Sequence, residues 1–283
     1  MPELPEAETI VRGIRGRVAG ARITGTRVLH ADLLDMPAGR FARTLKNRVI
    51  RGVSRRGKNV VIEADGPTHI VVNLGMTGGL FPLAPREMNA GVTHPGVRFR
   101  LGPAGQLVYN DARRFGRLRL FDAGGFAAWS ATLGPEPLGP GFTAARLAAD
   151  LPRSRSPLRS WLLDQRRVAG VGNIYANEAL YRAGLDPRRR AHTVSGAEAV
   201  ALREAIVDVL AEAIQARGTT IRDYRDAEGD GGGFGPRLRV YGRNGEPCLV
   251  CGTPIQRVVF GNRSAFLCPT CQPPGESDAP APT

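Results

Sequence analysis

The chain has 283 residues, 42% hydrophobic and 23% charged, enough to bury a core in one large or two modest domains. Thirty-nine Lys and Arg against 26 Asp and Glu leave a formal charge of +13 and a pI near 10.8, the balance of a protein that meets a polyanion. No apolar run is long enough for a membrane span and the acidic start is unlike a signal peptide, so a cytoplasmic protein is expected.

The first six residues, Met1-Pro2-Glu3-Leu4-Pro5-Glu6, admit two readings. One is a helix start, with Pro5 near the first helical position, Glu6 in the first turn, and Ile10, Val11, Ile14 and Val18 on one apolar face. The other is catalytic. Removal of Met1 would expose the secondary amine of Pro2, and an α-amine titrates near pH ~8, so a useful fraction is neutral at pH 7. Attack on a sugar C1′ would give an iminium with no N–H to lose, with Glu3 and Glu6 close by.

Short segments rich in Val, Ile and Leu follow at Arg22–His30, Arg48–Asp65, His69–Leu74, Val97–Leu101, Gln106–Tyr109 and Leu118–Phe121, separated by Gly- and Pro-containing turns. This pattern predicts an antiparallel sandwich or barrel. Lys58 stands between Gly57 and Asn59 as one of only two lysines in the chain, either a functional cation or a solvated strand-end residue. A Gly- and Pro-rich stretch at 134–141 reads as a linker. Beyond it Ser156-Pro157 offers an N-cap and first-turn proline for a helix running through Gln165. Gly170–Asn173 breaks that helix, Ile174–Ala183 forms another, and 197–217 a long amphipathic one. The turn ending in Asn173 is either a seat for a phosphate at a helix start or an interhelical turn with a capping asparagine. Residues 228–235 look too glycine-rich to pack and read as a mobile loop.

All four cysteines fall in Cys248-Leu-Val-Cys251 and Cys268-Pro-Thr-Cys271, sixteen residues apart. In a reducing compartment this spacing predicts a four-thiolate zinc site, closed to water and therefore structural. The expected fold class is α+β multidomain: an N-terminal helix with an antiparallel β-sandwich, a helical domain, and a C-terminal four-Cys finger.

The start MPELPEAET and the blocks LGMTG (74–78), NDARRFG (110–116), LGPEPL (133–138), VAGVGNIYANEALYRAGLDP (168–187), GTTIRD (218–223) and VYGRNGEPC with its following cysteine motifs occur in a distinctive order. In these the chain resembles the bacterial formamidopyrimidine-DNA glycosylase (Fpg/MutM) family, from Pro2 to about Gln272. The resemblance implies a monomeric bifunctional glycosylase and AP lyase of base excision repair. Its partner would be double-stranded DNA containing an oxidised purine, 8-oxoguanine or a formamidopyrimidine, and it would be nucleoid-associated when bound. It implies one structural Zn2+ on Cys248, Cys251, Cys268 and Cys271, and a helix-two-turn-helix arrangement in the helical part. Pro2, Glu3 and Lys58 would be catalytic, with Glu6 supporting. Met76, Arg113 and Phe115 would fill the gap left by a flipped base. His94, Arg113, Asn173 and Arg263 would bind DNA, and the 218–235 region would close over the lesion.

The domains implied are 1–132, catalytic; 133–145, linker; 146–236, helix-two-turn-helix with the capping loop; 237–272, zinc finger; and 273–283, a disordered tail. Asn73 and Gly96 depart from positions where the family commonly has histidine, and Arg159 from a frequent lysine. Two rivals are an endonuclease VIII-like glycosylase for oxidised pyrimidines and a non-catalytic zinc-containing protein that binds lesion DNA.

Overall fold

Pro5 in the first turn of a helix loses no hydrogen bond, and the apolar residues behind it repeat at helical spacing. The result is α1 (Leu4–Val18), which buries Ile10, Val11, Ile14 and Val18. The computed structural model describes residues 2–87, 91–220, 224–260 and 263–275. Met1, residues 221–223 of the GTTIRD block and most of the expected tail lie outside them. The chain divides into two compact units, Met1–Thr132 with Ala213–Gly235, and Leu133–Glu212 with Pro236–Thr283.

In the first unit α1 is followed by β1 (Gly25–Val28), α2 (Ala38–Leu45), β2 (Ile50–Arg56), β3 (Asn59–Ala64), β4 (Thr68–Asn73), β5 (Gly79–Leu83), β6 (Pro95–Arg100), β7 (Gln106–Asn110), β8 (Arg117–Phe121) and α3 (Ala123–Ala131). The strands form two antiparallel sheets, ordered β1-β6-β7-β5 and β2-β3-β4-β8. One core joins Val60, Ile62 and Val72 of one sheet, Leu80, Phe99 and Leu107 of the other, and Ile10 and Ile14 of α1. Each such side chain contributes about 1.5–3 kcal/mol, and this shared core makes the sheets a sandwich.

The segment expected as one run at 48–65 is a hairpin: Arg56 pairs with Asn59 across the two-residue loop Gly57-Lys58, and Gly57 has the positive φ, 58°, that the first loop position asks for. β5 was not anticipated, because Pro82 cannot donate to a ladder. It is tolerated because β5 is a sheet edge.

The glycine-rich segment also differs from expectation. Thr219 bridges Gly233, the Phe234 N–H donates to Gly218 O at 3.0 Å, and Phe234 is buried. Tyr224 and Ala227 join the sandwich core. The apolar residues spaced among the glycines anchor the segment.

The second unit carries α4 (Ala144–Asp150), α5 (Leu158–Leu163) and α6 (Asn173–Arg182). Next comes α7 (Gly196–Gln215), whose residues from Ala213 on count with the first unit, and then a hairpin of β9 (Gln256–Phe260) and β10 (Arg263–Leu267). α5 is shorter than expected. Pro157, not Ser156, is its N-cap, and Gln165 lies beyond its end. The Gln165 side chain instead donates to Leu163 O and Val171 O at 3.0 and 2.9 Å and accepts the Gly170 N–H at 2.8 Å. It braces the turn that leads into α6.

Candidate active site and nucleic-acid interface

Glu3 is the N-cap of α1 and 2% exposed, and Glu6 in the first turn is 1% exposed. Carboxylates are buried this deeply only where donors compensate. For Glu6 they are backbone amides: the Glu3 N–H donates to Oε2 and the Thr219 N–H to Oε1, each at 2.7 Å. The first bond fixes the chain entering α1 and the second ties it to the base of the glycine-rich segment. Gly218, with φ 85°, makes this possible, since a Cβ there would stand 2.8 Å from Glu6 Oε1. Pro2 is itself buried at this rigid start. The expected loss of Met1 concerns a residue outside those described.

Lys58, half-buried, holds the second position of the β2–β3 loop. Arg55 fastens that loop to α1, its Nη1 donating to Gly57 O at 3.0 Å and its Nε to Glu8 Oε2 at 3.1 Å. Burial raises the Glu8 pKa, but hydrogen bonds from Arg12 and Arg55 and their charges outweigh it and hold the carboxyl below its ordinary value. Asn73, one of the departures, donates from Nδ2 to Asn59 Oδ1 at 3.0 Å and accepts the Gly75 N–H at 3.1 Å. The amide braces the turn into Gly75 and Met76.

Met76 lies between β4 and β5, and Arg113 and Phe115 between β7 and β8. Met76 is 37% and Phe115 53% exposed, so neither belongs to the core. The Arg113 guanidinium carbon stands 4.6 Å from the Phe115 ring centroid, a cation–π contact. His94 is exposed; its N–H donates to Asn110 Oδ1 at 2.6 Å, and its carbonyl accepts the Asp111 N–H at 3.0 Å. The glycine at position 96 has a packing reason, since a Cβ there would meet Leu33 Cδ1 at 2.3 Å. Leu33 occupies the space a histidine would need.

In the second unit Asn173 is the first residue of α6, and Gly172 is the N-cap, so the asparagine does not cap. Its Oδ1 accepts from Arg159 Nη2 at 2.5 Å, and its Nδ2 donates to the carbonyl of Ser264 at 3.1 Å. Arg159 Nη2 also reaches Ser264 O at 3.2 Å. Asn173 is thereby brought to the strand that begins with exposed Arg263. Arg159 is 2% exposed, and its Nε has no hydrogen-bond partner among the described residues. Burial, then the positive charge of Arg263, hold the Arg159 pKa below its ordinary value. Two guanidiniums beside an asparagine at a helix start suit an anion.

Glu178 of α6 was not foreseen. Its carboxylate accepts the N–H groups of Arg239, Val240 and Tyr241 at 2.8, 3.1 and 2.8 Å. Burial raises its pKa against these donors. No sequence periodicity could flag it, because its partners are backbone amides some sixty residues away.

The four cysteine Sγ atoms all lie within 4.8 Å of one another. A tetrahedral zinc with Zn–S bonds of about 2.3 Å sets its sulfurs about 3.8 Å apart, so the donor set fits one structural zinc. Bound there, the metal supplies a cross-link. The surrounding residues tie the finger to the helices: the Tyr181 hydroxyl and Cys248 Sγ are hydrogen-bonded at 3.2 Å, and Gln272 Nε2 donates to Leu185 O at 2.8 Å. Among the described residues no helix is long and apolar enough to cross a membrane.

A sandwich behind an N-terminal helix, a helical unit and a four-thiolate finger define a helix-two-turn-helix protein with a C-terminal zinc finger. Family profiles match in the same order: the formamidopyrimidine-DNA glycosylase N-terminal domain over residues 1–118, the formamidopyrimidine-DNA glycosylase H2TH domain over 133–225, and the zinc finger found in FPG and IleRS over 245–274. A formamidopyrimidine-DNA glycosylase of Herpetosiphon aurantiacus is 42% identical over 274 residues, covering 96% of this chain and all of the relative. The crystal structure of the MutM (Fpg) protein of Thermus thermophilus superposes with a TM-score of 0.86 at 39% identity, covering 97% of this chain and 100% of that one. A Lactococcus lactis Fpg variant, solved in complex with Fapy-dG-containing DNA, superposes with a TM-score of 0.89 at 29% identity, covering 96% and 100%. The chain belongs to the formamidopyrimidine-DNA glycosylase family.

Proposed function

We propose that this protein excises oxidised purines, 8-oxoguanine and formamidopyrimidines, from double-stranded DNA and then cleaves the strand, as a cytoplasmic monomer that associates with the nucleoid when bound. The observation that carries the reading is the buried Pro2-Glu3 start, rigidly held by Glu6. Once Met1 is removed, the Pro2 lone pair attacks C1′ and the bond from C1′ to the base breaks, its electron pair leaving with the base, which takes up the proton shed by the Pro2 nitrogen. Glu3 delivers a proton to the sugar ring oxygen as the ring opens, leaving an iminium. The same carboxylate then takes a proton from C2′, the electrons expel the 3′-phosphate, and elimination on the other side follows. Lys58 holds a lesion phosphate.

Met76, Arg113 and Phe115 occupy the gap of the flipped base, Arg113 bonding its former partner. Asn173 and Arg263 grip flanking phosphates, and His94 adds a DNA contact. The 218–235 segment covers the lesion with backbone amides. The division of labour runs 1–132 for chemistry, 133–145 as linker, 146–236 for the helical and capping parts, 237–272 for the finger and 273–283 as tail.

Borohydride trapping with 8-oxoguanine duplex tests the reading, with the protein's mass measured first to establish loss of Met1. A covalent adduct is expected, weakened by Pro2→Gly and abolished when Met1 is retained. No adduct from protein lacking Met1 sinks the catalytic reading. Faster release of thymine glycol than of 8-oxoguanine would move it to the endonuclease VIII-like branch.

A further inference from the structure

The two loops that expose Met76, Arg113 and Phe115 close on one buried carboxylate. Asp111 is 2% exposed. Its Oδ1 accepts the Thr77 hydroxyl of the first loop at 2.5 Å and the Arg113 N–H of the second at 3.3 Å. Its Oδ2 accepts the Tyr109 hydroxyl at 3.0 Å and the Gly116 N–H at 2.8 Å. Thr77 Oγ1 in turn accepts the Arg113 N–H at 3.1 Å, so the loops are bonded to each other as well as to the carboxylate. Burial, then the Asp111 charge, push the Tyr109 phenol well above its ordinary pKa, which keeps it a donor.

Glycines allow the close approach that these bonds need. A Cβ on Gly75 would stand 2.5 Å from the Gly116 nitrogen, and one on Gly78 would stand 2.5 Å from the Tyr109 hydroxyl. Arg114 takes the left-handed conformation, φ 53°, between the two anchored amides of Arg113 and Gly116. This places Phe115 on a span pinned at both ends. A buried charge is a poor means of gaining stability compared with an apolar residue of similar size. What it supplies here is a set of directed bonds, and every one reaches a loop or the tyrosine beneath them.

We propose that Asp111 is a positioning residue that locks the Met76 loop and the Arg113–Phe115 loop into a single wedge, so that the three side chains enter the base stack together. This rests on the gap-filling reading above, and it places the effect of Asp111 on base eversion, not on the chemistry at Pro2.

The test compares kcat/KM for 8-oxoguanine excision from a fully paired duplex with strand cleavage at an abasic site facing a one-nucleotide gap, where no base needs replacing. Asp111→Asn removes one acceptor at nearly constant shape, and Thr77→Val removes the two bonds of the Thr77 hydroxyl, to Asp111 and from the Arg113 N–H, while leaving the carboxylate in place, which guards against a folding defect. Each is expected to lose at least tenfold more activity on the paired duplex than on the gapped substrate. A 2-aminopurine opposite the lesion should brighten more slowly on mixing with either variant. Equal losses on both substrates, or none on the duplex, overturn the proposal. Phe115→Ala run alongside separates the two levels: if it leaves duplex excision intact in active protein, gap filling itself fails and Asp111's role falls with it.

Discussion

Both oxygens of Glu6 accept backbone N–H groups, and the two amides come from residues 3 and 219. A glutamine has one acceptor oxygen, so in Glu6→Gln one of these buried amides would face an NH2 group. Leaving one buried donor unsatisfied costs about 1–3 kcal/mol. We expect Glu6→Gln to lower the unfolding free energy measured in urea by that amount and to slow borohydride trapping, because the displaced amide belongs either to Glu3 or to Thr219. Unchanged trapping in a destabilised variant would confine Glu6 to folding. The sequence announced this residue, because a glutamate in the first turn behind a proline is a helix-start signal at short range. The cysteine spacing was legible for the same reason. Asp111, Glu178 and Gln165 were not: Glu178 is satisfied by backbone amides distant in sequence, while Asp111 and Gln165 depend on hydroxyls and loop backbone groups whose directions only the folded chain sets. Asn173 does not cap α6, since Gly172 is the N-cap, and its amide instead bonds a residue on another element, Ser264.

At the scale of elements, period and turn chemistry located most strands of the sandwich, and missed those whose composition contradicts their setting. β5 contains Pro82, and α3 carries Gly124 and Gly125, starting only because Asp122 Oδ1 accepts the Gly125 N–H at 2.7 Å. α7 begins with a better signal. The Ser195 N–H donates to Glu198 Oε2 at 2.7 Å and the Glu198 N–H to Ser195 Oγ at 3.3 Å, a capping box. Hydrogen bonds from Arg189, the largest influence, lower the Glu198 pKa from an ordinary 4.5 to about 2, against the opposing effect of burial. Because the folded value is depressed, the stabilisation is complete above pH 4.5 and lost as pH falls toward 2. The side chain is 33% exposed and so partly screened by solvent, and the gain is about 0.5 kcal/mol, not the full value of the shift. Glu198→Gln should therefore fall below the parent protein in urea midpoint at pH 7 and converge with it as pH approaches 2. A constant offset across that range would refute the assignment.

For the whole molecule, the two compact units hold different candidate residues. The first has its own core, with Pro2, Glu3 and Lys58 placed by α1 and the β2–β3 loop. The second has the phosphate candidates, and their geometry depends on the finger: Asn173 and Arg159 both bond Ser264 O, and Asn177 Oδ1 accepts the Phe266 N–H at 2.7 Å. Removing zinc frees the cysteines that anchor this hairpin, so the Ser264 carbonyl should leave Asn173. The chain's two tryptophans report on this separately, Trp129 in α3 of the first unit and Trp161, buried in α5, of the second. In Trp129→Phe protein, chelation of zinc is expected to red-shift the remaining Trp161 emission. In Trp161→Phe protein it should leave Trp129 emission where it was. Duplex affinity, compared at one salt concentration because phosphate contacts are salt-dependent, should drop at least tenfold in both. Retained affinity after elemental analysis shows the metal gone would mean that the phosphate grip does not depend on the finger. A shift in both tryptophans would mean that the first unit's core needs the metal too.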